Sequence, residues 1–145
     1  MGAPKSYPRY SRQEALRLYL GCPDFEIRIR KYGLLAIEDQ EYAVWNDAEA
    51  DIECRRIIES ELWKFDIHFI MAHLPANLQT AAMKGVLEHA QKELGVDSNP
   101  LIMSVIANLT QFCQDVIAMF GREHFLAPYD GKEGLYIGYF IYRVK

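Results

Sequence analysis

Arg122, Glu123, His124, Tyr129 and Asp130 make the densest cluster of chemically capable side chains in this sequence. A guanidinium, an imidazole, a phenol and two carboxylates so close together could hold an anion or move a proton. The same residues also suit a helix end followed by a turn, because Asp130-Gly131 is a turn dipeptide. The turn reading is the stronger of the two. Other reactive groups are scattered. His68 and His73 lie five apart, roughly 140° around a helix, so they do not share a face. His89 and His124 stand alone, and no CxxC, HExxH or ExxH spacing occurs, so no metal is expected. Cys54 and Cys113 fall in apolar stripes, where a thiol behaves as a small hydrophobe. Ser60 and Ser104 read as mid-helix, no GxSxG elbow is present, and no phosphate-binding glycine loop occurs. No cofactor is expected. Enzymatic activity stays open, with a non-enzymatic role favoured.

The chain has 145 residues, enough for one domain with its own core. It holds three cysteines, an odd and widely spaced set that fits a reducing cytoplasm better than a disulfide framework. No secretion signal or apolar run long enough for a bilayer is read. The pattern Met1 to Ser6 formally fits N-myristoylation and is taken as chance. Net charge is −4, but unevenly spread: residues 1–37 carry seven Lys/Arg against three Asp/Glu, and residues 38–66 three against ten. Within the acidic block, Glu38, Asp39, Glu41, Asp47 and Glu49 are the candidate protein-interaction residues, facing a partner with a basic surface. The competing explanation is a solvated face beside an ordinary acidic helix start. Arg28, Arg30 and Lys31 make only a small basic footprint at pI about 5.6, so direct nucleic-acid binding is not expected.

The elements that must position these groups read as α+β: about four helices on a small antiparallel sheet formed by an N-terminal meander and a C-terminal hairpin. Ser11-x-x-Glu14 has capping-box spacing ahead of a short helix that ends at Gly21. The alternation Phe25 to Arg30 predicts a half-buried strand, with further short strands at Leu34–Ile37 and Tyr42–Trp45. A helix over Leu34–Tyr42 is the rival there. Asn46 or Asp47 caps a long helix to about Leu74, or two nearly collinear ones with Asp66 capping the second. Asn77 is expected to cap the next helix, with Leu78, Ala82, Val86, Ala90 and Leu94 inward. Asn99-Pro100 opens a last long helix through Phe120. A hairpin of His124–Ala127 and Leu135–Val144 follows. Its second strand is apolar on both faces. Gly138 in that strand suggests a close approach by a helix, a ligand or a second subunit, so a homodimer through this strand is one expectation. The candidate ligand-binding set is Arg122, His124, Tyr129, Asp130, Tyr136 and Tyr142.

Residues 121–133, GREHFLAPYDGKE, with Tyr142-Arg143 and the helix from Cys54-Arg55-Arg56 to Phe65, resemble parts of small uncharacterised proteins from phages and mobile elements. The resemblance implies no activity. It implies a setting in which small acidic proteins act as host-interacting accessories or inhibitors of host defence, of the anti-CRISPR or antirestriction type. The functional expectation is therefore a non-enzymatic interaction factor, with a small-ligand binder or small enzyme at the 122–133 junction as the alternative.

Overall fold

The computed structural model describes residues 10–22 and 24–145. The Met1 to Ser6 pattern lies outside them. The fold is α+β, with helices packed with a five-stranded antiparallel sheet. The chain divides into two compact units: the described residues up to Cys54 with Phe120–Lys145, and Arg55–Met119. Among the described residues no single helix is long and apolar enough to cross a membrane.

The first unit begins with α1 (Arg12–Leu20), which starts and stops where local chemistry dictates. The Ser11 hydroxyl accepts from the Glu14 amide and the Glu14 carboxylate accepts from the Ser11 amide, so two orphan donors are satisfied. Gly21 closes the helix in the left-handed region at φ 70°. Strands β1 (Arg28–Lys31), β2 (Leu34–Ile37) and β3 (Gln40–Trp45) form the expected meander, turning at Glu38-Asp39 with Glu38 at φ 56°. The strand reading of residues 34–45 holds. The half-buried strand expected over Phe25 to Arg30 does not: β1 is exposed along its whole length because it is an edge, guarded by Arg28, Arg30 and Lys31.

The C-terminal run is where the structure departs most from the periodicity. Residues 124–127 are not a strand; α7 (Arg122–Leu126) occupies most of them. The run 135–144 is not one strand either. It folds on itself as β4 (Gly134–Tyr136) and β5 (Tyr139–Arg143), joined by the two-residue turn Ile137-Gly138. Both turn residues have positive φ, 42° and 88°, the type I′ pattern that matches strand twist. Gly138 is thus a turn glycine and not a point of close approach within a strand. Ile137 is a β-branched residue in a region such residues avoid. Ile137→Asn should therefore stabilise the protein by about 1 kcal/mol, read as a higher melting temperature, if turn strain outweighs lost side-chain contact.

β5 inserts between β3 and β4, giving the order β1-β2-β3-β5-β4. Register places Tyr42, Val44, Ile141 and Arg143 on one face and Ala43, Trp45, Phe140 and Tyr142 on the other. The first face packs with Leu16 of α1, Leu35 and Ile37 into an apolar core. On the second, α7 packs against β5, and Trp45 and Tyr142 rings meet at 6.3 Å. Apolar residues on both sides of β5 follow from this double cover.

Helix α2 (Asp47–Ser60) opens in the first unit and ends in the second. It stops at Ser60; a 3₁₀ turn (Leu62–Lys64) separates it from α3 (Ile67–Ala72), so no single helix runs to Leu74. Asp66 does cap α3, accepting from the His68 and Phe69 amides. Thr80 rather than Asn77 caps α4 (Ala81–Leu94), and Leu87 and Ala90 are its buried residues while Val86 and Leu94 are exposed. The expected last helix is two, α5 (Asn99–Val105) and α6 (Leu109–Phe120). The ladder breaks at Ala107, whose amide donates to the His73 carbonyl (2.9 Å) instead of to its own helix.

Candidate functional site

A cleft of about 220 Å³ opens beside the α1 face of the sheet. The last turn of α1 supplies Tyr19 and Leu20, β3 supplies Tyr42, and β5 supplies Ile141 and Arg143. The loop after α7 adds Asp130 and Lys132. The cleft exists because α1 is anchored by Leu16, fully buried against the sheet, which leaves Tyr19 on its flank. A Cβ at Gly134 would overlap the Tyr19 hydroxyl as the ring now lies. The Tyr19 and Tyr136 rings pack at 6.2 Å.

Polar groups around the cleft are held in defined positions. The Asp130 carboxylate accepts from the Lys132 amide at 3.0 Å, fixing the turn. The Arg143 guanidinium lies 3.6 Å from the Tyr129 ring centre, and its Nε donates to the Lys145 carbonyl. The Tyr42 hydroxyl donates to Gln40 Oε1 at 2.7 Å. Burial raises the Tyr42 phenol's pKa above its ordinary value, with Arg143 pulling it down and Asp130 pushing it up. Of the six residues expected to bind a ligand, Asp130 lines the cleft and Tyr129 and Tyr136 brace its walls.

Arg122 and Tyr142 lie on the other face of the sheet. Arg122 Nη1 donates to Asp47 Oδ1 (3.0 Å) and Asp51 Oδ1 (2.8 Å), and its guanidinium is 4.5 Å from the Phe140 ring centre. Glu133 lies 3.5 Å from Arg122 Nε and accepts the Tyr142 hydroxyl at 2.5 Å. Desolvation opposes the Arg122 charge, but the bonds to Asp51 and Asp47 outweigh it and raise its pKa. Tyr142, fully buried, is raised by desolvation first and by the Glu133 bond second. The cluster pins the start of α2 to the C-terminal hairpin. His124 stacks on Phe120 at 5.0 Å.

The remaining acidic residues are distributed by local need. Glu49 completes a capping box with Asn46, pairs with Arg12 at 2.5 Å and accepts from the Tyr32 hydroxyl. Glu41 pairs with Arg30 at 3.6 Å, while Glu38 and Asp39 are at the β2–β3 turn, where both side chains reach solvent. Arg28, Arg30 and Lys145 surround that turn, so its surroundings are mixed in sign.

In the second unit, His73 has both ring nitrogens engaged. Nδ1 is 2.9 Å from the Phe69 carbonyl and Nε2 is 2.7 Å from Asp115 Oδ2. Gln111 donates to the other Asp115 oxygen at 2.8 Å. These two bonds, His73 first, hold the Asp115 carboxyl below its ordinary range. A depressed carboxylate stabilises the fold above its unfolded pKa, about 3.9, and loses that contribution as pH falls through its folded value. His73→Phe should raise the Asp115 midpoint toward about 3.9 in a carbon-detected carboxyl titration. An unmoved midpoint would remove His73 as the cause. Cys113 is buried and its thiol is pushed up to about 11, by desolvation and then by Glu59. Among the described residues no group of three or more His, Cys, Asp or Glu is placed to hold a metal ion.

Comparison with protein-family models, curated proteins and solved structures finds no match. The site therefore rests on geometry. Sequence reasoning missed Tyr19, Tyr42, Lys132 and Arg143, which reach the cleft from distant elements. The only local signal was Asp130-Gly131, which marks the turn bringing Lys132 into place.

Proposed function

We propose that this chain works by binding rather than by catalysis, and that the cleft beside Tyr42 is its binding site for a small organic molecule with a charged end and an apolar body. The observation that carries this reading is a concave surface on which Arg143, Lys132 and Asp130 meet Leu20, Ile141 and two tyrosines. Polar groups that converge on one concavity beside aromatic and aliphatic side chains are what fix a small molecule's orientation. The state of the reactive groups supports a non-enzymatic role. Both nitrogens of His73 are bonded, Cys113 is protonated at neutral pH, and the Tyr142 hydroxyl is committed to Glu133. The test is two-dimensional NMR of the full chain against a panel of small carboxylates and amines. Concentration-dependent shifts confined to Tyr19, Tyr42, Ile141 and Arg143 are expected. A panel that moves none of them removes the reading.

A second reading follows from the solvent-facing Glu38 and Asp39 side chains. The turn would contact a basic surface on a host protein complex, as an inhibitor encoded by a phage or plasmid would. Its test is capture of partners by the wild type and by a Glu38→Lys, Asp39→Lys variant at low and physiological salt. Charge-driven capture weakens in the variant and with salt; equal recovery by both proteins removes it.

A further inference from the structure

We propose that the ligand of the cleft is a small zwitterion, a free α-amino acid with an apolar or aromatic side chain, held through its carboxylate by Lys132 and Arg143 and through its ammonium by Asp130. The inference rests on the binding reading above and names the chemistry of that same site.

Both signs of charge are present at one small opening. Arg143, paired with Tyr42 across β3 and β5, and Asp130 line the same cleft. Stacking on Tyr129 fixes the plane of the Arg143 guanidinium, and its Nη groups make no hydrogen bond among the described residues. Their N–H bonds lie in that plane, the geometry that suits a carboxylate. Lys132 has no ion pair among the described residues. Asp130 uses Oδ1 for the Lys132 amide and keeps Oδ2 for another donor.

The charge pattern selects among ligands. A plain carboxylic acid would satisfy Lys132 and Arg143 but bring a second negative charge toward Asp130. A plain amine would leave both cations facing an uncharged or cationic group. A zwitterion meets all three. Its side chain would then lie on Leu20 and the partly exposed Tyr19 ring, which removes apolar surface from water. Size agrees: about 220 Å³ is below the roughly 300–1,000 Å³ of sites for drug-sized ligands. A peptide terminus carries one of the two charges, so it matches only half of the pattern.

Calorimetric and NMR titrations of the full chain with L-phenylalanine, 3-phenylpropionate and 2-phenylethylamine test this directly, because the two analogues each lack one charge. L-Phenylalanine is expected to bind at least about tenfold more tightly than either, the scale of one charged hydrogen bond. Asp130→Asn, which keeps the Oδ1 bond of the turn, should erase the advantage over 3-phenylpropionate. Lys132→Met should weaken L-phenylalanine and 3-phenylpropionate alike. Equal affinity for L-phenylalanine and 3-phenylpropionate, with cleft residues shifting for both, overturns the zwitterion and leaves the binding reading in place. The same holds if Asp130→Asn leaves the preference intact. Titrations in which none of the three moves a cleft resonance overturn both.

Discussion

Gly33→Ala is expected to be among the most damaging one-methyl changes in this protein. Gly33 lies between β1 and β2 at φ 73°, and a Cβ built there would overlap the indole of Trp45. Its carbonyl also accepts from the Val44 amide at 2.8 Å, so the turn cannot shift freely. Trp45 is 5% exposed and packs beside Tyr142, which leaves the ring little room to retreat. Overpacking of this kind costs about 1–3 kcal/mol. The left-handed backbone adds about 1–2 kcal/mol for any residue with a Cβ. The two contributions act at one site, and together they are a large fraction of a domain's usual stability of about 5–15 kcal/mol. Chemical denaturation monitored by tryptophan fluorescence measures the loss. A Gly33→Ala protein within about 0.5 kcal/mol of wild type would mean that Trp45 does not rest on this turn.

Phe112→Ala should cost about 3–5 kcal/mol, the range for removing an enclosed aromatic ring. Phe112 is fully buried, with the rings of Phe65, Phe69 and His73 at 5.6, 5.1 and 5.0 Å. Three edge contacts converge on it, so its loss leaves a void that one neighbour cannot fill. Phe112→Leu, which keeps most of the volume, should cost about 1–1.5 kcal/mol. A second readout separates simple cavity formation from loss of positioning. With its ring neighbour gone, His73 is freer to leave Asp115, and the Asp115 titration should move up toward the ordinary carboxylate range. A destabilised Ala variant with an unmoved Asp115 would show that the contacts of His73 with Phe69 and Asp115 hold the imidazole without Phe112.

Local chemistry made some elements readable and tertiary contacts hid others. Ser11, Glu14 and Gly21 delimit α1 by bonds made within a few residues, and Asn99-Pro100 opens α5 for the same reason. The α5–α6 break was invisible because the hydrogen bond that ends the helix comes from His73, more than thirty positions away. The turn at Ile137-Gly138 was hidden for a different reason. Isoleucine favours strands, and only pairing of β4 with β5 places it in a left-handed turn. The cleft was half legible. Asp130 and its aromatic neighbours stood out as a cluster, whereas Tyr42 and Arg143 become partners only through the register of β3 and β5.

That register has a kinetic consequence. Tyr42 and Arg143 are separated by about a hundred residues, and closing a loop of that length costs on the order of 4 kcal/mol of chain entropy. The helices of Arg55–Met119 fall entirely between them, so their contacts close shorter loops and fold on local information. During synthesis these helices emerge from the ribosome before β5 does. Until then β3 presents Tyr42 to Trp45 as an open, apolar strand edge, the kind of surface on which nascent chains misassociate. Arrival of β5 caps that edge, making the final hairpin the safeguard that takes the growing chain out of danger.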